Sequence, residues 1–264
     1  MLLATIQAQH VSHRKLAQHL PGHAQPESKE KRVARFFASE ALTQTEVAQL
    51  ILSLVGSKRV TLIMDRTNWR FGQCEHNILV IAVLYAGYAI PLVWDLLEHG
   101  GASSTSTRIA LLDRLLQFVP RKRVRVFLAD REFVGAQWFA ALKKRRIRRC
   151  IRIRDDTLLD DVPVREAFTD LKQGQLRGVV EREPVYGTPM QVVATLSPAG
   201  ERVVIASDLS LFDTLAEYRK RFSIECTFVR FTQLLVQKEL PKQTVLQPAV
   251  RRANSHGDKL PSEL

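Results

Sequence analysis

Asp65 and Asp130 each close a short apolar run, residues 59–64 and 124–129, and each is followed by arginine: Asp-Arg-Thr-Asn-Trp and Asp-Arg-Glu-Phe. A carboxylate at the end of a strand is held by rigid backbone yet can face a cleft. Two of them on neighbouring strands offer hard oxygen ligands to a divalent cation, which prefers one or two carboxylates together with water and phosphate oxygens. Taken singly, each reads more readily as a structural aspartate at a strand-to-loop turn. The third element is the string Tyr-Arg-Lys-Arg-Phe-Ser-Ile-Glu-Cys-Thr-Phe, in which Tyr218, Arg221 and Glu225 are offset by three and then four residues. That spacing places all three on one helix face. A glutamate beside arginine and tyrosine makes a poor core stripe and a good phosphate and metal site, because arginine can hold a phosphate bidentately while tyrosine donates a hydrogen bond.

Strands and helices must position these groups. Residues 59–64 are β-like and lead into Asp65. Residues 78–97 are almost all apolar and about long enough to span a bilayer, but Ala86-Gly87 interrupts them, Pro91 follows and Asp95 lies near the end. Two buried strands joined by a tight turn are predicted there, not a membrane helix. Residues 107–118 have helical periodicity, 124–129 form a short strand, 135–144 a helix and 150–153 a strand. Three adjacent strands, a helix and a fourth strand describe a mixed α/β layer fold. Dense turn signals between 155 and 200 mark a β-rich insertion. A core strand resumes at 202–206, and Asp213 is predicted to cap one helix over residues 214–236. Before residue 58 the chain reads as short basic helices, with Thr43 and Glu46 at capping-box spacing. Trp69 and Trp138 are read as core packing in preference to stacking on an unpaired base.

Lys and Arg outnumber Asp and Glu by 39 to 27, a formal charge of +12. Such an excess favours a polyanionic partner, since each cation at a phosphate releases counterions. Two clusters are candidates for tracking double-stranded DNA: Lys29, Lys31 and Arg32 near the start, and Lys143, Lys144, Arg145 and Arg146 at the head of a basic run reaching Arg154. Three dispersed cysteines and the absence of an apolar leader point to a reducing cytoplasm.

The motifs together resemble bacterial transposases of insertion-sequence family four. The likeness is carried by Leu-Ile-Met-Asp65-Arg-Thr-Asn-Trp69, Leu-Ala-Asp130-Arg-Glu-Phe133 and Tyr218-x-x-Arg221-x-x-x-Glu225. The Gly-Gly-Ala-Ser-Ser-Thr loop and the opening Leu-Ala-Gln-His-Leu-Pro-Gly add to it. It covers residues 1 to about 228 and implies a ribonuclease-H-like core with a β-rich insertion before the third acid. It also implies two Mg2+ or Mn2+ ions held by Asp65, Asp130 and Glu225, phosphate contacts from Tyr218 and Arg221, and a homodimer on the DNA. The domain order expected is a helical DNA-binding region (1–57), the first part of the core (58–154), the insertion (155–200), the remaining core strand and third-acid helix (201–236), and a tail (237–264). Where the family carries a lysine seven residues after the glutamate, this chain has Thr232. The texture after Phe228 is read as a degenerate, frame-shifted end. A chain that cuts poorly or not at all is therefore expected, with a non-catalytic DNA-binding remnant as the alternative.

Overall fold

The computed structural model describes residues 1–39, 43–56, 58–71, 74–98, 100–179 and 181–236. Four helices come first: α1 (Leu2–Ala8), α2 (His13–Gln18), α3 (Pro26–Ala38) and α4 (Gln44–Val55). Strands β1 (Val60–Phe71), β2 (Cys74–Tyr85) and β3 (Tyr88–Leu97) follow, then α5 (Thr105–Leu116), β4 (Val124–Ala129), α6 (Ala136–Lys144) and β5 (Arg149–Arg152). The next stretch holds β6 (Leu158–Leu159), β7 (Val162–Pro163), α7 (Val164–Ala167), β8 (Leu176–Gly178), β9 (Glu183–Val185) and β10 (Thr188–Leu196). The described chain ends with β11 (Arg202–Ser207), α8 (Leu211–Arg219) and α9 (Phe222–Val236). Phe37–Arg230 make one compact unit; Met1–Phe36, with Phe231–Val236, make another.

The larger unit is built on a sheet of order β3-β2-β1-β4-β5-β11-β10-β8, with β9 paired to β10. The first three strands are antiparallel neighbours, whereas β1 with β4 and β4 with β5 are parallel. Antiparallel 3-2-1 followed by parallel 1-4-5 is the ribonuclease-H-like core that the resemblance implies. The β2–β3 connection has Ala86 at φ 48° and Gly87 at φ 82°. Two successive left-handed residues suit the right-handed strand twist of a two-residue hairpin, so the apolar stretch 78–97 folds back on itself as predicted. No helix among the described residues is long and apolar enough to cross a membrane.

Strand alternation sorts the side chains onto two faces. Leu62 and Met64 of β1, Leu79, Ile81 and Val83 of β2, and Phe127 and Ala129 of β4 point to one face. There they meet Leu111, Leu112 and Leu115 of α5, Trp138, Phe139 and Leu142 of α6, and Ala48 and Leu52 of α4. Trp138 is fully buried, as core packing requires; the Trp69 side chain lies outside the described residues. On the other face Ile63, Val80, Ala82, Val126, Leu128 and Cys150 pack with Tyr218 of α8 and Ile224 and Phe228 of α9. Asp65 and Asp130 continue the register of this second face.

Two sequence-based boundaries change. The helix predicted over residues 214–236 is two helices, α8 and α9, broken at Lys220–Arg221. The cap is Ser210, whose hydroxyl accepts from the Asp213 backbone N–H at 3.2 Å and donates to its carboxylate at 2.7 Å. Helix α4 keeps its predicted Thr43–Glu46 capping box. However, it packs with the sheet: the Gln44 side chain donates to the Trp94 carbonyl at 3.0 Å and accepts from the Trp94 N–H at 3.2 Å. In the smaller unit Leu16, Ala17, Leu20 and Val33 close a small core with Ala4. The degenerate tail expected over residues 237–264 lies outside the described residues.

Candidate active site

The parallel register of β1 and β4 pairs Met64 with Ala129, so Asp65 and Asp130 come next, side by side, where that pairing ends. Asp130 follows the last residue of β4, whereas Asp65, expected at the end of a strand, lies midway along β1, which continues to Phe71 in register with β2. Both point to the face covered by α8 and α9. Tyr218 reaches down from α8 and its hydroxyl donates to Asp130 Oδ1 at 3.1 Å. Arg221, at the break between the two helices, donates from one guanidinium nitrogen to Asp65 Oδ2 at 3.4 Å and from the other to Glu225. The break matters for this geometry. Lys220, Arg221, Ser223 and Ile224 all donate to carbonyls three residues earlier, a tightened turn that aims Arg221 at Asp65. Arg221 thus links Asp65 to Glu225, and Asp130, beside Asp65, is held by Tyr218.

The electrostatics are those of buried acids gathered round one cation. Burial raises the Asp65 pKa to about 6, helped by the nearby charges of Glu225 and Glu132 and opposed by Arg221 and the Arg66 backbone N–H. Arg221 is itself buried, which disfavours its charge, but Tyr218, Asp130, Glu225 and Asp65 together outweigh that and push its pKa above the ordinary value. Its Nε has no partner. Among the described residues no three Asp, Glu, His or Cys side chains are gathered closely enough to hold a metal ion; the Arg221 guanidinium bridges two of the acids. The donor set nevertheless fits a hard divalent cation. It is all carboxylate oxygen, and the positive charge that offsets it comes from a side chain bound to Asp65 by one long contact.

A stability prediction follows. An acid whose pKa is raised on folding stabilises the folded state fully below its unfolded pKa, near 4, and loses that contribution as pH rises through about 6. At about 1.4 kcal/mol per pKa unit, the ionised Asp65 costs the metal-free protein about 2–3 kcal/mol above pH 7. Asp65→Asn is expected to melt higher than wild type at pH 8 without divalent ions, and level with it at pH 4. A variant less stable at pH 8 would contradict this reading of the site.

Sequence reasoning missed Glu132, Asn68 and Asn77. Arg66 donates to both Glu132 oxygens at 3.2 Å, to Asn68 at 2.9 Å and to Asn77 at 3.1 Å, tying β1 beside Asp65 to the loop after β4. The Arg-Glu in Asp-Arg-Glu-Phe was the available signal. The basic run divides. Lys143 and Lys144 end α6, exposed. Arg145 is engaged bidentately by Asp113 at 2.6 Å, so its charge is spent within the fold, and Arg146 sits in a left-handed turn at φ 53°. Arg149 and Arg152 are paired with Asp208 and Glu201. In the first cluster Lys29 donates to the Leu20 carbonyl at 2.9 Å, whereas Lys31 and Arg32 are exposed.

No family model matches the chain, and no curated protein matches it by sequence. Solved structures do share its shape in part. A piggyBac transposase synaptic complex with hairpin DNA aligns over 99% of this chain at 12% identity and a TM-score of 0.49, and this chain spans 66% of that one. Human endonuclease V aligns over 67% of this chain and 87% of its own, at 13% identity and a TM-score of 0.37. Endonuclease V of Ciona intestinalis, solved with an inosine-containing DNA, aligns over 72% and 88% at 12% identity and a TM-score of 0.37. At these identities the neighbours say nothing of this chain's chemistry, which rests on its own residues.

Proposed function

We propose that this chain is a DNA-cleaving and strand-transferring enzyme, a DDE transposase of the insertion-sequence family four type, acting on double-stranded DNA in the bacterial cytoplasm. The observation that carries the reading is the convergence of Asp65, Asp130 and Glu225, distant in sequence, on one face of the sheet with Arg221 between them. A structural salt-bridge cluster does not need three acids round one arginine where two parallel strands part.

In this reading Asp65, Asp130 and Glu225 hold Mg2+ or Mn2+, two ions being expected. Bound there, such ions would supply Lewis-acid activation of water or of a freed 3′-hydroxyl and charge stabilisation at the leaving oxygen. The chain's own residues do the rest. Arg221 exchanges its carboxylates for the scissile phosphate, which its planar fork can take bidentately. Tyr218, whose pKa burial holds above its ordinary value, stays protonated and serves as a hydrogen-bond donor. Arg66, locked by Glu132, keeps β1 in place beside Asp65.

Lys31 and Arg32, with Lys29, Lys143, Lys144 and Arg146, are proposed to contact the DNA backbone, in a homodimer that pairs two element ends. The expected consequence is steep salt dependence. With about six phosphate contacts, log K should fall with log salt at a slope near −5. Titrating a labelled duplex at rising salt checks this, and a flat response would show the charge to be incidental. The enzymatic reading is tested by incubating the chain with DNA carrying its own element's ends and Mg2+ or Mn2+. Metal-dependent nicking at the element boundary supports it. Tight binding without nicking would instead identify a DNA-binding remnant, the reading that Thr232 in place of the family lysine favours.

A further inference from the structure

The β2–β3 hairpin and the start of α9 enclose an open groove of about 690 Å3, within the ~300–1,000 Å3 of small-ligand clefts. It is separate from the carboxylates but shares their helices: Lys220 and Phe222, which line it, flank Arg221 in sequence. Its lining combines two kinds of group. Arg219, Lys220 and Arg230 supply positive charge, and no acidic residue lines it. Tyr88 and Phe222 are aromatic and 53% and 59% exposed, so each offers ring surface to solvent. The Arg230 guanidinium lies 5.0 Å from the Tyr88 ring centroid, a cation–π pair that holds the ring at the groove's edge. The Thr227 hydroxyl donates to the Ala89 carbonyl at 2.9 Å, fastening the hairpin to α9 so that the two walls keep their spacing.

Exposed aromatic rings among Arg219, Lys220 and Arg230, of which Lys220 is also paired with Glu217 at 2.6 Å, do not suit a duplex, whose bases are stacked and out of reach. They suit a strand whose bases are free: rings stack on bases of any sequence, and the cations follow the backbone. From this juxtaposition we infer that the groove binds single-stranded DNA, seating unpaired nucleotides on Tyr88 and Phe222. This rests only on the nucleic-acid part of the proposed function.

The test uses the full chain in EDTA, so that cleavage plays no part. It measures anisotropy with labelled oligo-dT of about 16 nucleotides, the upper site size for single-strand-binding folds, and with a duplex of equal length. Tyr88→Ala and Phe222→Ala are each expected to weaken oligo-dT binding about tenfold and duplex binding less than about twofold. Tyr88→Phe should bind like wild type, which separates stacking from a folding defect. Phe212→Ala, an exposed ring outside the groove, should change nothing. Wild-type affinity in Tyr88→Ala and Phe222→Ala, or equal losses on both DNAs, would overturn the inference. Absence of nicking in the metal assay would overturn the enzymatic reading and leave this one standing. Efficient nicking with unaltered oligo-dT binding by Tyr88→Ala would overturn this one alone.

Discussion

Glu225→Gln is expected to lower strand cleavage by more than about a hundredfold while DNA affinity stays within about twofold of wild type. Glutamine keeps the side chain's shape and an oxygen that can still accept from Arg221, but removes the charge that a cation needs. Disturbing groups that merely orient metal ligands costs about 10–100-fold, so loss of a ligand should exceed that. Binding survives because the proposed backbone contacts come from Lys31, Arg32, Lys143 and Lys144, none of which touches Glu225. Single-turnover cleavage and duplex binding, measured on both proteins under the same salt, separate the two effects. Equal cleavage by the variant would remove Glu225 from the chemistry.

The second large effect is structural and reaches the site through the fold. Arg149 of β5 is 3% exposed and donates to Asp208 from its backbone N–H at 2.8 Å, from Nε at 2.8 Å and from a terminal nitrogen at 2.9 Å. It also donates to the Phe139 carbonyl at 3.2 Å, and its guanidinium lies 5.7 Å from the Phe139 ring. Asp208 follows β11 and precedes α8, so this pair pins the start of the α8–α9 arm to the strand beside β4. Asp208→Ala leaves a buried arginine without its counter-charge, a change that typically costs about 3–5 kcal/mol. Denaturant unfolding of the variant should show a loss of that size. A loss below about 1 kcal/mol would mean that solvent reaches Arg149 and that the pair is not a strut.

The sheet's first half was legible because its signals are local. Alternating or continuous apolar runs ending on Asp65 and Asp130, and Ala86-Gly87 between two such runs, fix strands and a hairpin without knowledge of the rest. The three acids were legible for the same reason, since each closes a local apolar run or lies on the face of a recognisable helix; that β1 runs on past Asp65 to Phe71 was not legible, because Arg66, Thr67 and Asn68 end the apolar run. The break between α8 and α9 was not. No glycine or proline marks Lys220–Arg221, and what favours the turn is the attraction of Arg221 to Asp65 and Glu225, a tertiary effect. Nor was the fate of the basic run visible. Arg145, Arg149 and Arg152 are matched by Asp113, Asp208 and Glu201, which lie 32, 59 and 49 residues away in sequence. The turn-rich stretch after residue 155 gave β structure but not its partners. Strand β10 joins the main sheet through β11 because Val192, Val193 and Ala194 are buried on both faces.

Mn2+ titration of the metal-free protein at pH 7.5, followed by calorimetry, addresses the shared carboxylate site most directly, because it needs neither DNA nor turnover. Saturable binding is expected for wild type and its loss in each of Asp65→Asn, Asp130→Asn and Glu225→Gln, since a cation held in common depends on all three. Wild-type binding should also weaken as pH falls below 6, where Asp65 takes up its proton. Unchanged Mn2+ affinity in all three variants, or no binding by the wild-type chain, would contradict a common metal centre where β1 and β4 part.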